Sequence, residues 1–74
     1  MPRKLLLVED EALIALSESR LLEKHGFDVD VAHSGEEALE TVASVIDISL
    51  VLMDIDLGKG IDGTETARRI LQIR

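Results

Sequence analysis

In the sequence LLLVED at residues 5–10, a continuous aliphatic run is followed by two acidic residues. In LVLMD at residues 50–54, a second apolar run is followed by one acidic residue. Uninterrupted aliphatic runs are typical of strands that are buried on both faces of a parallel sheet. In open α/β sheets, ligands bind at the carboxyl ends of the strands. Glu9, Asp10 and Asp54 are therefore predicted to meet at that edge. Because crowded carboxylates repel one another, the pattern predicts a bound cation.

Strand-like and helix-like segments alternate along the whole chain. Strands are predicted at residues 4–9, 28–32 and 48–53, and helices at 11–25, from 35 onward and after Asp62. The second strand alternates polar and apolar residues, which favours a half-exposed edge position. The order β-α-β-α-β-α implies a parallel sheet with right-handed crossovers. We therefore predict a flavodoxin-like, doubly wound α/β fold with three strands in the order 2-1-3.

The ends of the predicted helices carry their own signals. Gly26 suits the left-handed position that ends the first helix, after which Phe27 can pack back on Leu22. Ser34 and Glu37 have the spacing of a capping box at the start of the second helix. The apolar residues of the first helix are assigned to the core: Leu13, Ile14, Leu21 and Leu22.

The composition narrows the class of protein. The chain has 74 residues, which is enough for one small domain, and its formal net charge of −7 argues against a nucleic-acid surface in this segment. The absence of Cys excludes a disulfide framework and a thiolate metal site, and it fits a reducing cytosol. The aliphatic run at residues 5–8 is too short for a signal-peptide core or a membrane span. We expect a cytoplasmic protein without a membrane partner.

Three segments resemble the front of a response-regulator receiver domain, a CheY-like signalling module. They read LLVED at residues 6–10, SGEEAL at 34–39 and VLMDID at 51–56. The resemblance covers residues 1–74 and implies the N-terminal three-fifths of such a domain, without its fourth and fifth strands and helices. It also implies that Asp54 accepts a phosphoryl group from a histidine kinase or phosphotransfer protein, and that an output domain or partner protein responds.

The same resemblance implies a Mg²⁺ site. Asp10 would be its principal ligand. Glu9 would act through a bound water or by contacting another ligand. The Asp54 side chain and the backbone carbonyl of Asp56 would complete the set. Mg²⁺ prefers six oxygen ligands at about 2.0–2.1 Å and keeps several waters, which leaves room for a phosphoryl oxygen. Phosphoryl transfer depends mostly on positioning and charge neutralisation. The resemblance therefore implies a switch with self-catalysed transfer, not a metabolic enzyme.

The chain departs from the receiver pattern in two places. The segment LGKGID at residues 57–62 lacks the usual Pro and is one residue longer. The Ser or Thr and the Lys that complete the family's site follow the fourth and fifth strands, and neither Lys59 nor a threonine of this chain is expected to replace them. The third strand should then be an apolar, unpaired edge. We expect either a fragment of a longer chain or a homodimer formed through that edge.

Several alternatives stay open from the residues alone. Glu9 and Asp10 also suit the first turn of a helix, and Asp54 also suits a turn. The pattern Asp-x-Asp at residues 54–56 occurs in haloacid-dehalogenase-type phosphatases, which use the same aspartyl-phosphate chemistry. A receiver-like interaction module without phosphotransfer is a third possibility. The histidines, His25 and His33, and the arginines of the last helix are interpreted as surface residues.

Overall fold

The computed structural model describes residues 3–45, 47–54, 57–58 and 60–73. Strands and helices alternate along these residues, as the sequence predicts. The elements are β1 (Lys4–Val8), α1 (Ala12–Lys24), β2 (Asp28–Ala32), α2 (Gly35–Ser44), β3 (Ile48–Met53) and α3 (Gly63–Ile73). The three strands form one parallel sheet in the order β2-β1-β3. The predicted α/β class and strand order are confirmed.

The register of the sheet brings the carboxyl ends of the strands level with one another. At the end of β1, Val8 is paired with Ala32 of β2 on one side and with Met53 of β3 on the other. The pairing with β3 contains one irregularity, between Lys4 and Leu5, at the opposite end of the strand. The residues that follow β1 and β3 therefore leave the sheet side by side.

The hydrophobic core lies mainly between the sheet and α2. It contains buried residues from β1, β2, α2 and the segment after β3: Leu6, Val8, Ala32, Ala38, Val42 and Leu57. Because side chains alternate along a strand, Leu5 and Leu7 point to the other face of the sheet, where they are also buried. Leu7 and Glu18 of α1 line a common cavity on that face. Helices therefore cover both faces of β1.

The predicted helix signals have the expected geometry. Gly26 has a φ of 95°, and the N–H groups of Gly26 and Phe27 donate to the carbonyls of Glu23 and Leu22 at 3.0 and 3.2 Å. These two bonds make a Schellman motif at the end of α1. At the start of α2, the Ser34 hydroxyl accepts the Glu37 N–H at 3.0 Å. Local sequence therefore determines where α1 ends and where α2 begins.

The prediction that the large apolar residues of α1 belong to the core is wrong for Leu13, Ile14 and Leu21. Leu13 is 83% exposed, Ile14 43% and Leu21 57%, and Leu22 is only half-buried. The buried residue of α1 is Ala15, at 2% exposure. The small Ala15 side chain lets the helix lie close to the sheet, and Leu22, two turns later, shares its side. Ile14 and Leu21 each precede one of these two residues, so they lie on the adjacent side of the helix and remain exposed to solvent.

Strand β3 forms the edge of the described sheet. Leu50, Val51 and Leu52 are 43%, 37% and 45% exposed, which confirms the prediction of an apolar edge but contradicts the one that this strand is buried on both faces. An open groove of about 670 Å³ runs between β3 and α3. Its lining includes apolar side chains from both elements, Val51 and Leu71 among them. Within the described part of the chain, no helix is long and apolar enough to cross a membrane.

Candidate metal centre

The backbone ladder continues one residue beyond β1 and β3 and so fixes the start of the candidate site. The Glu9 N–H donates to the Ala32 carbonyl at 2.9 Å, and the Asp54 N–H donates to the Val8 carbonyl at 3.2 Å. Glu9 and Asp54 are therefore held by the sheet itself, before either chain turns away. Asp10 follows Glu9 at the same edge.

The structure brings the three sequence-predicted carboxylates together. One ligand oxygen from each of Glu9, Asp10 and Asp54 lies within 4.8 Å of the others. The Glu9 side chain is buried, whereas Asp10 and Asp54 are exposed. Three negative groups at this separation repel one another, and a divalent cation with oxygen ligands would relieve that repulsion. The donor set fits Mg²⁺, which binds carboxylates and retains waters.

Glu9 is the least solvated of the three carboxylates. Its Oε1 accepts the Glu11 N–H at 3.2 Å, and this bond lowers its pKa. Burial and the neighbouring carboxylates of Asp10 and Asp54 act in the opposite sense and outweigh the bond, so that the pKa of Glu9 is raised above its usual value. A cation bound at the cluster would favour the ionised form of Glu9.

Two further residues support the cluster, and the sequence interpretation did not assign them there. Gly58 has a φ of 72°, and a Cβ atom on it would lie 2.9 Å from Asp10 Oδ2, so the backbone of the β3–α3 connection lies against this carboxylate. Nδ1 of His33 donates to the Glu9 carbonyl at 3.1 Å. The side chain of His33 is exposed, as predicted. The sequence contains one signal for the contact of Gly58, namely a glycine that follows an acidic strand end closely. It contains no signal for the contact of His33.

The other candidate residues lie away from the cluster or outside the described part of the chain. Asp56, whose carbonyl is an expected ligand, and Lys59 both fall outside the described residues. Asp62 caps α3, since its Oδ1 accepts the Glu65 N–H at 2.8 Å. Thr66 is fully buried and donates its hydroxyl to the Asp62 carbonyl at 2.7 Å. Both side chains thus serve the start of α3.

Comparison with known proteins shows which family of domains the chain resembles. The family model described as "Response regulator receiver domain" matches residues 5–74. The transcriptional regulatory protein CpxR of Escherichia coli K12 is 41% identical over 71 residues, which cover 93% of this chain and 30% of that protein. The chain thus spans less than a third of the length of this curated relative.

Two solved structures superimpose closely on the chain. One is the N-terminal domain of a response regulator/sensory box/GGDEF three-domain protein from Carboxydothermus hydrogenoformans, with a TM-score of 0.92 and 43% identity, covering 97% of this chain and 58% of that one. The other is a CheY-like receiver domain protein from Methanospirillum hungatei, with a TM-score of 0.91 and 28% identity, covering 100% of this chain and 58% of that one. Both likenesses agree with the strand order described above.

Proposed function

The chain belongs to the response-regulator receiver family, and from this premise we propose that it accepts a phosphoryl group on Asp54 in a Mg²⁺-dependent reaction. The donor would be a phosphohistidine of a histidine kinase or phosphotransfer protein. The observation that carries the proposal is the meeting of Glu9, Asp10 and Asp54 at one sheet edge, with ligand oxygens within 4.8 Å of one another. An acidic residue at one strand end is explained by an ordinary turn, whereas acidic residues at two adjacent strand ends favour a binding site.

Each residue has a distinct part in the proposed reaction. A carboxylate oxygen of Asp54 attacks phosphorus; the O–P bond forms as the N–P bond of the phosphohistidine breaks, and the leaving imidazole takes a proton. Asp10, Glu9 and Asp54, with the Asp56 carbonyl, would hold Mg²⁺, which supplies charge neutralisation and orientation to the phosphoryl oxygens when bound. The exposed position of Asp54 leaves it open to the donor.

The phosphorylated chain would then act as a switch. We propose that residues 1–74 are the N-terminal part of a receiver domain, and that the acyl phosphate on Asp54 changes a surface that an output domain or partner protein recognises. The net charge of −7 disfavours nucleic acid as the direct partner of this segment. A cytoplasmic location, where phosphorylated kinase domains are available, completes the proposal.

For the case in which these 74 residues form a free-standing chain, we further propose that the exposed edge of β3 pairs with a second copy. The chain exposes 4923 Å², whereas a folded protein of 8.1 kDa is expected to expose about 4500 Å². An open edge strand offers its backbone groups as a template. Sedimentation should show a dimer, and replacing Leu52 by Lys should produce a monomer; a monomer before substitution would refute this part.

Phosphorylation is tested by incubation with Mg²⁺ and a small phosphodonor, followed by intact-mass measurement. We expect an acid-stable, alkali-labile phosphoryl adduct that Asp54→Asn abolishes and Asp47→Asn retains. Asp47 is an exposed carboxylate next to the opposite end of β3, so it controls for charge alone. Turnover of many phosphomonoesters would instead support the haloacid-dehalogenase-type phosphatase, and an absence of adduct would support an interaction module.

The metal assignment has its own test. Beryllofluoride imitates a phosphoryl group, and its binding should require Mg²⁺ and disappear in Asp10→Asn. Binding can be followed through the backbone amide resonances at the sheet edge, without any phosphodonor. Retained binding in Asp10→Asn would remove Asp10 from the site.

A further inference from the structure

The segment that connects β3 to α3 lies between two carboxylates. On one side, the Cβ position of Gly58 is 2.9 Å from Asp10 Oδ2. On the other, the Cβ position of Gly60 is 2.6 and 2.8 Å from the two carboxylate oxygens of Glu36. The Ile61 N–H donates to Glu36 Oε2 at 3.1 Å. One short segment therefore contacts both the candidate metal centre and the first turn of α2.

Two described residues of this segment, Gly58 and Gly60, give the backbone at their positions little stiffness of its own. Gly58 and Gly60 both have positive φ, at 72° and 89°, and glycine loses more conformational freedom on ordering than any other residue. The two ends are fixed, because Leu57 is buried in the core and Asp62 caps α3. A restraint between those ends has the largest effect on the path of the backbone, and the Glu36 carboxylate provides one there.

Helix α2 in turn holds Glu36 in place. Glu36 is the second residue of α2, next to the Ser34 cap. The preceding Gly35 is packed so closely that a Cβ atom on it would overlap Thr66 Oγ1 and lie 2.6 Å from Ile61 Cγ1. The first turn of α2 therefore cannot shift relative to α3 without losing these contacts. These contacts fix the backbone that carries Glu36, and its carboxylate accepts the Ile61 N–H.

We propose that Glu36 is a positioning residue for the metal centre: by accepting the Ile61 N–H, it holds the β3–α3 segment against Asp10. The inference rests on the proposed function, because it assumes that Mg²⁺ binds at Asp10. Without this bond, the segment samples more conformations, and Gly58 leaves the Asp10 carboxylate for part of the time. Metal binding must then reorder the segment at its own cost.

The test compares three variants of the full 74-residue chain. Glu36→Gln removes the charge but keeps a carbonyl oxygen that can accept the Ile61 N–H, whereas Glu36→Ala removes both. Glu37→Ala is the matched control, because Glu37 is also an exposed first-turn acid of α2 and has the same effect on the helix dipole. Mg²⁺ affinity is measured by calorimetry, and the hydrogen exchange of the Ile61 amide is measured without metal.

We expect Glu36→Ala to weaken Mg²⁺ binding by about three- to tenfold, the range for one lost hydrogen bond, and to accelerate exchange at Ile61. Glu36→Gln and Glu37→Ala should stay within about twofold of the parent protein in both measurements. Equal losses in Glu36→Gln and Glu36→Ala would show a charge effect and overturn the proposal. Parent-like affinity in Glu36→Ala would also overturn it. Failure of the parent protein to bind Mg²⁺ would overturn the proposed function and, with it, this inference.

Discussion

Replacing Gly35 by Ala tests how tightly α2 and α3 are joined beside the candidate site. The new methyl group would overlap Thr66 Oγ1 and lie 2.6 Å from Ile61 Cγ1. Thr66 has no room to yield, because its side chain is fully buried and its hydroxyl is bonded to the Asp62 carbonyl. The helix must therefore move outward or the core must deform.

The net effect is the difference of two terms. Overpacking a well-packed contact costs about 1–3 kcal/mol. Alanine is favoured over glycine in a helix by up to about 1 kcal/mol, and less at a first position such as this one. We expect the free energy of unfolding to fall by about 1–2 kcal/mol. That is a large share of the stability of so small a domain.

The assay is urea denaturation followed by circular dichroism, in the parent protein and in a Thr66→Ala background. Removing Oγ1 opens the space that the methyl group needs, so Gly35→Ala should cost about 1 kcal/mol less in that background. Gly26→Ala is the control. Gly26 has nothing within 4 Å of its Cβ position and a φ of 95°, so its substitution should cost only backbone strain, equal in both backgrounds.

Two outcomes would refute this reasoning. A Gly35→Ala protein as stable as the parent would mean that α2 and α3 have freedom to separate. A cost that is the same with and without the Thr66 hydroxyl would mean that the overlap at Oγ1 does not cause the loss.

Two further predictions concern the β3–α3 segment and α3. Gly58→Ala places a methyl group 2.9 Å from Asp10 Oδ2 at a φ of 72°. Because this contact displaces the Asp10 carboxylate, Mg²⁺ binding measured by calorimetry should weaken by roughly tenfold. Gly26→Ala adds backbone strain without such a contact, so an equal loss in that variant would contradict the explanation. The Arg68 and Arg69 side chains donate hydrogen bonds to Glu65 and lower its pKa from 4.5 to about 2. Since the folded state favours ionised Glu65, its stabilising effect should be present in full above pH 4.5 and should be lost as the pH falls through about 2. Glu65→Gln should therefore be less stable than the parent at pH 7, and the difference should shrink steadily between pH 4.5 and pH 2; a difference that stays constant over this range would contradict the ion-pair explanation.

The fold was largely predictable because its signals are local and agree with one another. Gly26 marks the end of α1, Ser34 the start of α2, and the aliphatic runs mark β1 and β3, so the order of elements follows without tertiary information. The parallel order 2-1-3 then brings Glu9, Asp10 and Asp54 to one edge. The three residues of the candidate site can thus be predicted from the ends of two strands.

What the sequence did not predict depends on which face a helix presents and on contacts between distant segments. Leu13 and Ala15 are both apolar, and only packing decides that the smaller one is buried at 2% while the larger is 83% exposed. The bond between Glu36 and Ile61 joins residues 25 positions apart through an exposed carboxylate of ordinary type. Neither residue carries a pattern that would indicate the other.

The pairing of β1 with β3 joins Val8 to Met53 across most of the chain, and this separation has a consequence for folding. Pairing strands so far apart in sequence requires the closure of a long loop, which makes the step slow. The acidic edge therefore forms only when β1 and β3 have paired. An ion that binds there recognises the native topology alone, so added Mg²⁺ should shift the folding equilibrium by mass action, and the midpoint of denaturation becomes a measure of whether the two strands have met in the correct register.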